Sequence, residues 1–222
     1  MRTACIHRMI LIILLYKGMR YPVKHKEESR TRILQAAARQ FRAEGAEAVR
    51  VSDVMEAAGL THGGFYKHFT NKDHLLQEAV RAALDSVSDR IAAMTASKPR
   101  AEALTEVIAF YLSEEHMRRP DLGCALAALG TEMARFSPTM KREVSKALDR
   151  YADRLSYLMP GSSETKRKAA FRVLFPSMAG CLMTARAYSS TSVQQQILAG
   201  GRAFFTSSFC STCLPVFDEV VQ

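Results

Sequence analysis

Acidic side chains are scarce in this 222-residue sequence: 22 Asp and Glu stand against 31 Lys and Arg, a formal charge of +9. That deficit favours a polyanionic partner, nucleic acid or an anionic membrane, and does not choose between them. Glycine, at 11, and proline, at 7, are also few, and nothing alternates apolar and polar for long, which argues against strands. Five scattered cysteines, Cys5, Cys124, Cys181, Cys210 and Cys213, are an odd number in a long chain. They exclude the disulfide framework of a small secreted protein and fit a reducing cytoplasm. A long apolar run is missing too. Met9–Tyr16 covers 8 residues, far below the roughly 20 that cross a bilayer, so no membrane partner is expected. Arg2 and Arg8 precede that run as in a signal peptide, but Lys17 to Arg20 offers no small-residue cleavage site, and Met19 is the expected biological start. The sequence holds no Gly-x-Ser-x-Gly, no Gly-rich phosphate loop and no His-Glu-x-x-His. No enzyme, cofactor or metal is expected from it. Cys210 and Cys213 have CxxC spacing, yet no second pair completes a tetrahedral site.

What is present is helical periodicity. Apolar residues recur at three- and four-residue spacing, which predicts an all-α fold large enough to bury a real core. Ile33, Leu34, Ala37 and Phe41 share one face of a first helix over 27–44, and Gly45 follows where a left-handed C-cap belongs. Short helices are expected over 52–58, ended by Gly59, and from Thr61, a good N-cap, to Phe69. Asn71 caps a helix running to about Met94. Ser97-Lys98-Pro99-Arg100 marks the domain boundary. Further helices are predicted over 101–117, 122–136 and 138–157, punctuated by Pro120, Pro138 and Pro160, and over 164–188 and 192–209, where small residues permit close helix approach.

Basic residues crowd the N-terminal part. From Met19 to Lys72 ten of them face six acidic ones, a surplus of four. Within it, Val51 to Phe69 joins two short helices through a Gly-containing turn, the grammar of a helix-turn-helix. Phe65 and Phe69 lie four apart and anchor the second helix, leaving His62, Gly63, Tyr66 and Lys67 for solvent or a groove. The pair Gly63-Gly64 costs roughly 1 kcal/mol per residue against alanine in a helix. Close backbone approach to DNA and a simple tight turn both explain it. Tyr66, Lys67, His68 and Lys72 supply donors suited to phosphate oxygens.

The stretch 29–76, above all Leu60-Thr-His-Gly-Gly-Phe-Tyr-Lys-His-Phe-Thr-Asn-Lys72 after Ala57-Ala-Gly, resembles the DNA-binding domain of TetR family regulators. The resemblance implies a repressor that binds a palindromic operator as a homodimer and is released by a small-molecule effector. It implies phosphate contacts for Tyr66 and Lys72, and a major-groove face for Thr61, His62, Gly63 and Lys67. Arg50 replaces the Ser or Thr that many relatives carry there; Arg50 and Ser52 are expected DNA contacts, but Arg50 is a poor cap, so Ser52 and Asp53 are the open alternatives for capping.

The domains expected are an N-terminal extension over 1–26, partly disordered, a helix-turn-helix domain over 27–94, a helical regulatory and dimerisation domain over 95–210, and a tail over 211–222. Dimerisation is expected through the helices at 164–188 and 192–209. Phe110, Tyr111, His116, Cys124, Met133 and Phe136 are the candidate effector pocket, of apolar wall and few polar groups. Cys124, in a Gly-Cys context at a helix start, is also an alternative sensor thiol for electrophiles or oxidants, against the plainer role of a small buried hydrophobe.

Overall fold

Ile33, Ala37 and Phe41, spaced by four, are buried on one face of α1, which covers residues 25–44. The computed structural model describes residues 25–210, and its remaining elements are α2 (Val51–Ala57), α3 (Lys72–Thr95), α4 (Arg100–Tyr111), α5 (Glu114–Arg118), α6 (Ala125–Met133), α7 (Pro138–Leu155), α8 (Glu164–Ala187) and α9 (Thr191–Cys210). Three 3₁₀ turns, His62–Lys67, Pro120–Leu122 and Ser156–Leu158, complete them. Among the described residues every regular element is helical, as the periodicity demands. The Met9–Tyr16 run, the Met19 start, Cys5, Cys213 and the tail over 211–222 lie outside the described residues.

Local chemistry sets the boundaries. Gly45 (φ +86°) and Gly59 (φ +67°) take left-handed conformations that end α1 and α2, as expected. At the second, Gly59 N–H donates to the Glu56 carbonyl (2.8 Å) and Leu60 N–H to that of Met55 (2.9 Å), the paired bonds of a Schellman motif. Asn71 caps α3 through its side chain, accepting from His74 N–H at 2.8 Å. Thr61 sits at a helix start but its hydroxyl caps nothing, because the segment it opens is a 3₁₀ turn ending at Lys67 and not an α-helix to Phe69. The periodic stretch 101–117 is likewise two helices. Leu112 leaves helical geometry (φ −97°, ψ 34°) and Ser113 starts α5 by accepting from His116 N–H. The predicted helix 122–136 shortens to α6, and that over 138–157 gives way to a 3₁₀ turn at Ser156.

The core is one continuous cluster. Val54, Met55, Phe65, Phe69 and Leu75 close it around α1, and Leu104, Ile108, Tyr111, Leu174 and Met178 fill it among α4, α8 and their neighbours. Burial of each large side chain contributes about 1.5–3 kcal/mol. Helix α3 belongs to both ends: Glu78 pairs with Arg30 of α1, while Asp85 and Asp89 pair with Arg154 along the length that packs against α7. Phe171 and Phe175 stack at 4.2 Å between the edges of Tyr151 and Tyr111.

Candidate nucleic-acid interface and internal cavity

Phe65 and Phe69 stack at 5.7 Å, both almost wholly buried, and Phe69 carries the Arg30 guanidinium of α1 4.7 Å above its ring. Arg30 in turn pairs with Glu78 of α3 (2.8 Å). The 3₁₀ turn is therefore fastened by its aromatic side, and Thr61, His62, Gly63, Tyr66 and Lys67 are left exposed, Tyr66 at 70%. None of the side chains of Thr61, His62, Tyr66 and Lys67 forms a hydrogen bond among the described residues. A Cβ on Gly63 meets nothing within 4 Å, and one on Gly64 meets only ordinary contacts with Met55 and Thr61. Neither glycine has a positive φ. The fold's interior thus requires neither.

The other expected contacts have partners. Lys72 Nζ donates to the Glu47 carbonyl (3.0 Å). Arg50 is exposed and pairs with Asp53 (2.9 Å), whose other oxygen accepts from Ser52 (3.0 Å), so neither Ser52 nor Asp53 caps α2. His68 departs from expectation. It is half-buried, turned to a groove formed with His25, Lys26 and Ser29 of α1, and burial, with Lys26 and Arg30 nearby, holds its pKa below the usual value.

A second feature lies between α1 and the rest of the chain, a cavity of about 480 Å³. Phe110, Tyr111, His116 and Cys124 line it, as expected. Met133 and Phe136 do not: Met133 is buried in the core beyond it, and Phe136 faces a separate groove with Ala46, Lys72 and Glu132, because the helix predicted to join them to Leu122 begins only at Ala125. His116 is 8% exposed. Its Nδ1–H donates to the Tyr111 carbonyl (2.6 Å) and its Nε2 accepts from Cys124 N–H (3.1 Å), which fixes a neutral tautomer. Burial holds its pKa down to about 4. The Cys124 thiol is 2% exposed, the packing of a small buried hydrophobe. Burial, and the Cys124 thiol beside it, push the Tyr111 hydroxyl well above its ordinary pKa, and that hydroxyl has no hydrogen-bond partner of standard geometry.

Residues 33–79 match the model of the family described as bacterial regulatory proteins, tetR family. The chain is 32% identical over 83 residues to the HTH-type transcriptional repressor KstR2 of Rhodococcus jostii, covering 37% of this chain and 41% of that protein. It is 35% identical over 78 residues to the HTH-type transcriptional regulator TtgR of Pseudomonas putida, covering 35% and 37%. The aligned stretch thus spans about two fifths of these relatives' length. The fold extends the likeness: a TetR transcriptional regulator from Chloroflexus aurantiacus superposes with a TM-score of 0.63 at 20% identity, over 84% of this chain and 98% of that one. Residues 33–79 thus carry a DNA-binding domain of the tetR family type, and the rest of the chain shares the fold of such regulators.

Sequence reasoning missed three residues of the cavity. Arg39 and Arg42 of α1 and Arg90 of α3 all line it. Arg39 and Arg42 are three apart, one helical turn, a spacing that was legible; that α1 turns this face towards α3 was not. Arg90 lies over the Phe110 ring (4.4 Å), whose plane is parallel to His116. Arg42 Nε donates to the Asp121 carbonyl (3.0 Å), and Glu132 of α6 accepts from Ala46 N–H (2.8 Å). These two bonds tie the end of α1 to the α5 to α6 region. Among the described residues no group of His, Cys, Asp and Glu is arranged to hold a metal ion, and no helix is long and apolar enough to cross a membrane.

Proposed function

We propose that this protein is a transcriptional repressor that binds a palindromic operator as a homodimer and is released by a small-molecule effector. The observation that carries the reading is the exposed set Thr61, His62, Gly63, Tyr66 and Lys67, without side-chain hydrogen bonds among the described residues, on a turn whose Phe65 is locked inside. A helix-turn-helix uses such a face in the major groove. Lys72, at the start of α3, and Arg50, at the start of α2, flank it with cations for phosphate. Gly63 serves close approach, since the interior gives it no other purpose.

Dimerisation falls to α8 and α9. Val173, Pro176, Ser177, Gly180 and Thr184 form one exposed stripe, and Ala199, Gly200, Ala203 and Phe204 another, both of small or apolar residues that let helices of a second copy approach. The cavity beside α1 is the effector site.

The test begins with a duplex selected by the wild-type chain from a random pool. Its affinity is expected to fall steeply with salt, because phosphate contacts release counterions. Tyr66→Phe combined with Lys72→Ala is expected to weaken every duplex and flatten the salt slope by about 1 or more, whereas His62→Ala changes which bases are preferred. No selected duplex, or an unchanged affinity in Tyr66→Phe with Lys72→Ala, overturns the reading.

A further inference from the structure

We propose that the cavity between α1, α3 and the α4 to α6 region binds a small organic anion, an apolar body bearing a carboxylate, with Arg39, Arg42 and Arg90 as its charge partners. As an effector site it rests on the repressor reading; as a binding site it stands by itself.

The wall carries the argument. It contains three guanidinium groups and no carboxylate: the other lining side chains are apolar, such as Leu34, Ala38 and Val87, or neutral and polar, such as Gln35 and Ser86. Asp121, beside the wall, is held by Arg119 through two contacts of 3.0 Å each and accepts a hydrogen bond from Arg42 at its carbonyl. Arg39 makes no hydrogen bond to protein among the described residues. Burial pulls the Arg42 pKa down, and Arg39 adds its repulsion, which the charge of Asp121, already paired with Arg119, offsets only in part. An anion relieves that repulsion. Arginine is also suited to the task, since its fork matches the two oxygens of a carboxylate.

Size and polarity agree. About 480 Å³ lies within the roughly 300–1,000 Å³ typical of small-molecule sites, which combine apolar walls with a few polar groups. Tyr111 in the wall adds a buried hydroxyl that lies beside the Cys124 thiol and has no partner of standard geometry. The position supplies a consequence. Arg39 and Arg42 belong to the helix under the DNA-reading turn, and Arg90 to the helix that spans both ends of the core. A bound anion bridges them and draws Arg42 from the Asp121 carbonyl that holds α1 to the α5 to α6 region.

The experiment uses the full chain and 8-anilinonaphthalene-1-sulfonate as a fluorescent aromatic anion, without DNA. The probe is expected to bind, to be displaced by 1-naphthoate, and to resist displacement by 1-naphthalenemethanol, a neutral molecule of the same body. Arg39→Gln with Arg90→Gln, both exposed side chains without hydrogen bonds to protein, is expected to weaken the probe roughly tenfold or more, as loss of charge-assisted bonds does. Arg150→Gln, an exposed arginine on α7, removes one positive charge elsewhere and is expected to leave binding unchanged. The proposal is overturned if the probe does not bind, if the neutral compound competes as well as the acid, or if Arg39→Gln with Arg90→Gln retains wild-type affinity. Duplex binding measured without the probe keeps the repressor reading separate: its failure leaves the anion site standing, and failure of the anion site leaves a DNA-binding protein.

Discussion

His116 couples this fold to pH through one buried ring. Its Nδ1–H is spent on the Tyr111 carbonyl and its Nε2 on Cys124 N–H, so an added proton has to break the second bond inside a largely buried site. A Cβ at Gly123 would lie only 2.5 Å from that same Nε2, which shows how tightly the ring is enclosed. The folded-state pKa of about 4 lies below the roughly 6.5 of an unfolded chain, so between them the unfolded state holds the extra proton. The stabilisation is full above about pH 6.5 and is lost as pH falls towards 4, by up to about 3 kcal/mol. Urea midpoints at pH 7 and pH 4.5 should therefore drop more in the wild type than in His116→Gln. Equal drops would show that His116 contributes no such coupling. Its burial was legible as a possibility, because His116 and Met117 sit on an apolar pattern; its partners were not, since they come from the break at Leu112, which the pattern runs straight through. Ser113 followed by Glu114 and Glu115, an N-cap with acids in the first turn, was the signal that could have exposed it.

At the scale of elements, two glycines four positions apart in the helix-turn-helix, Gly59 and Gly63, do opposite jobs. Gly59 has φ +67° and closes the Schellman motif, so a Cβ there costs roughly 1–2 kcal/mol whatever space surrounds it. Gly63 has an ordinary backbone and open space around it. Gly59→Ala is expected to lower the Tm by several degrees, at roughly 2–4 °C per kcal/mol for a chain of this size. Gly63→Ala is expected to keep or slightly raise the Tm and yet to lose duplex affinity, because the new methyl group sits where the groove approaches. Gly63→Ala binding duplex like the wild type would return that glycine to the role of a simple turn. The caps at Gly45, Gly59 and Asn71 were legible because each depends on one residue type and its neighbours. The 3₁₀ geometry of His62–Lys67 was not, since period and propensity do not separate a tight six-residue turn from a short α-helix. Neither could they reveal the arginine-lined cavity, whose wall is assembled from residues far apart in the chain.

For the whole molecule, the proposed homodimer rests on the exposed stripes of α8 and α9. Phe204 is 63% exposed and Val173 48%, and both stand among small residues on helices that are otherwise packed on the core. Leaving a phenylalanine and a valine in water forgoes about 1.5–3 kcal/mol each, which a second copy laid across the stripes would recover. Gly180 and Gly200 have nothing within 4 Å of a Cβ on the free chain, so a side chain there is harmless to the monomer and obstructs only a partner. Gly200→Glu with Phe204→Glu is therefore expected to fold with a Tm near that of the wild type. In sedimentation it should run at the 24.7 kDa of one chain where the wild type runs at about twice that mass. Because the second half-site is then bound from solution and not from a tethered neighbour, affinity for the selected palindrome should fall by roughly 10²-fold or more, while affinity for a single half-site stays the same. A variant that remains dimeric would move the interface off α8 and α9. One that becomes monomeric but keeps full palindrome affinity would show that the two DNA-reading turns do not act together.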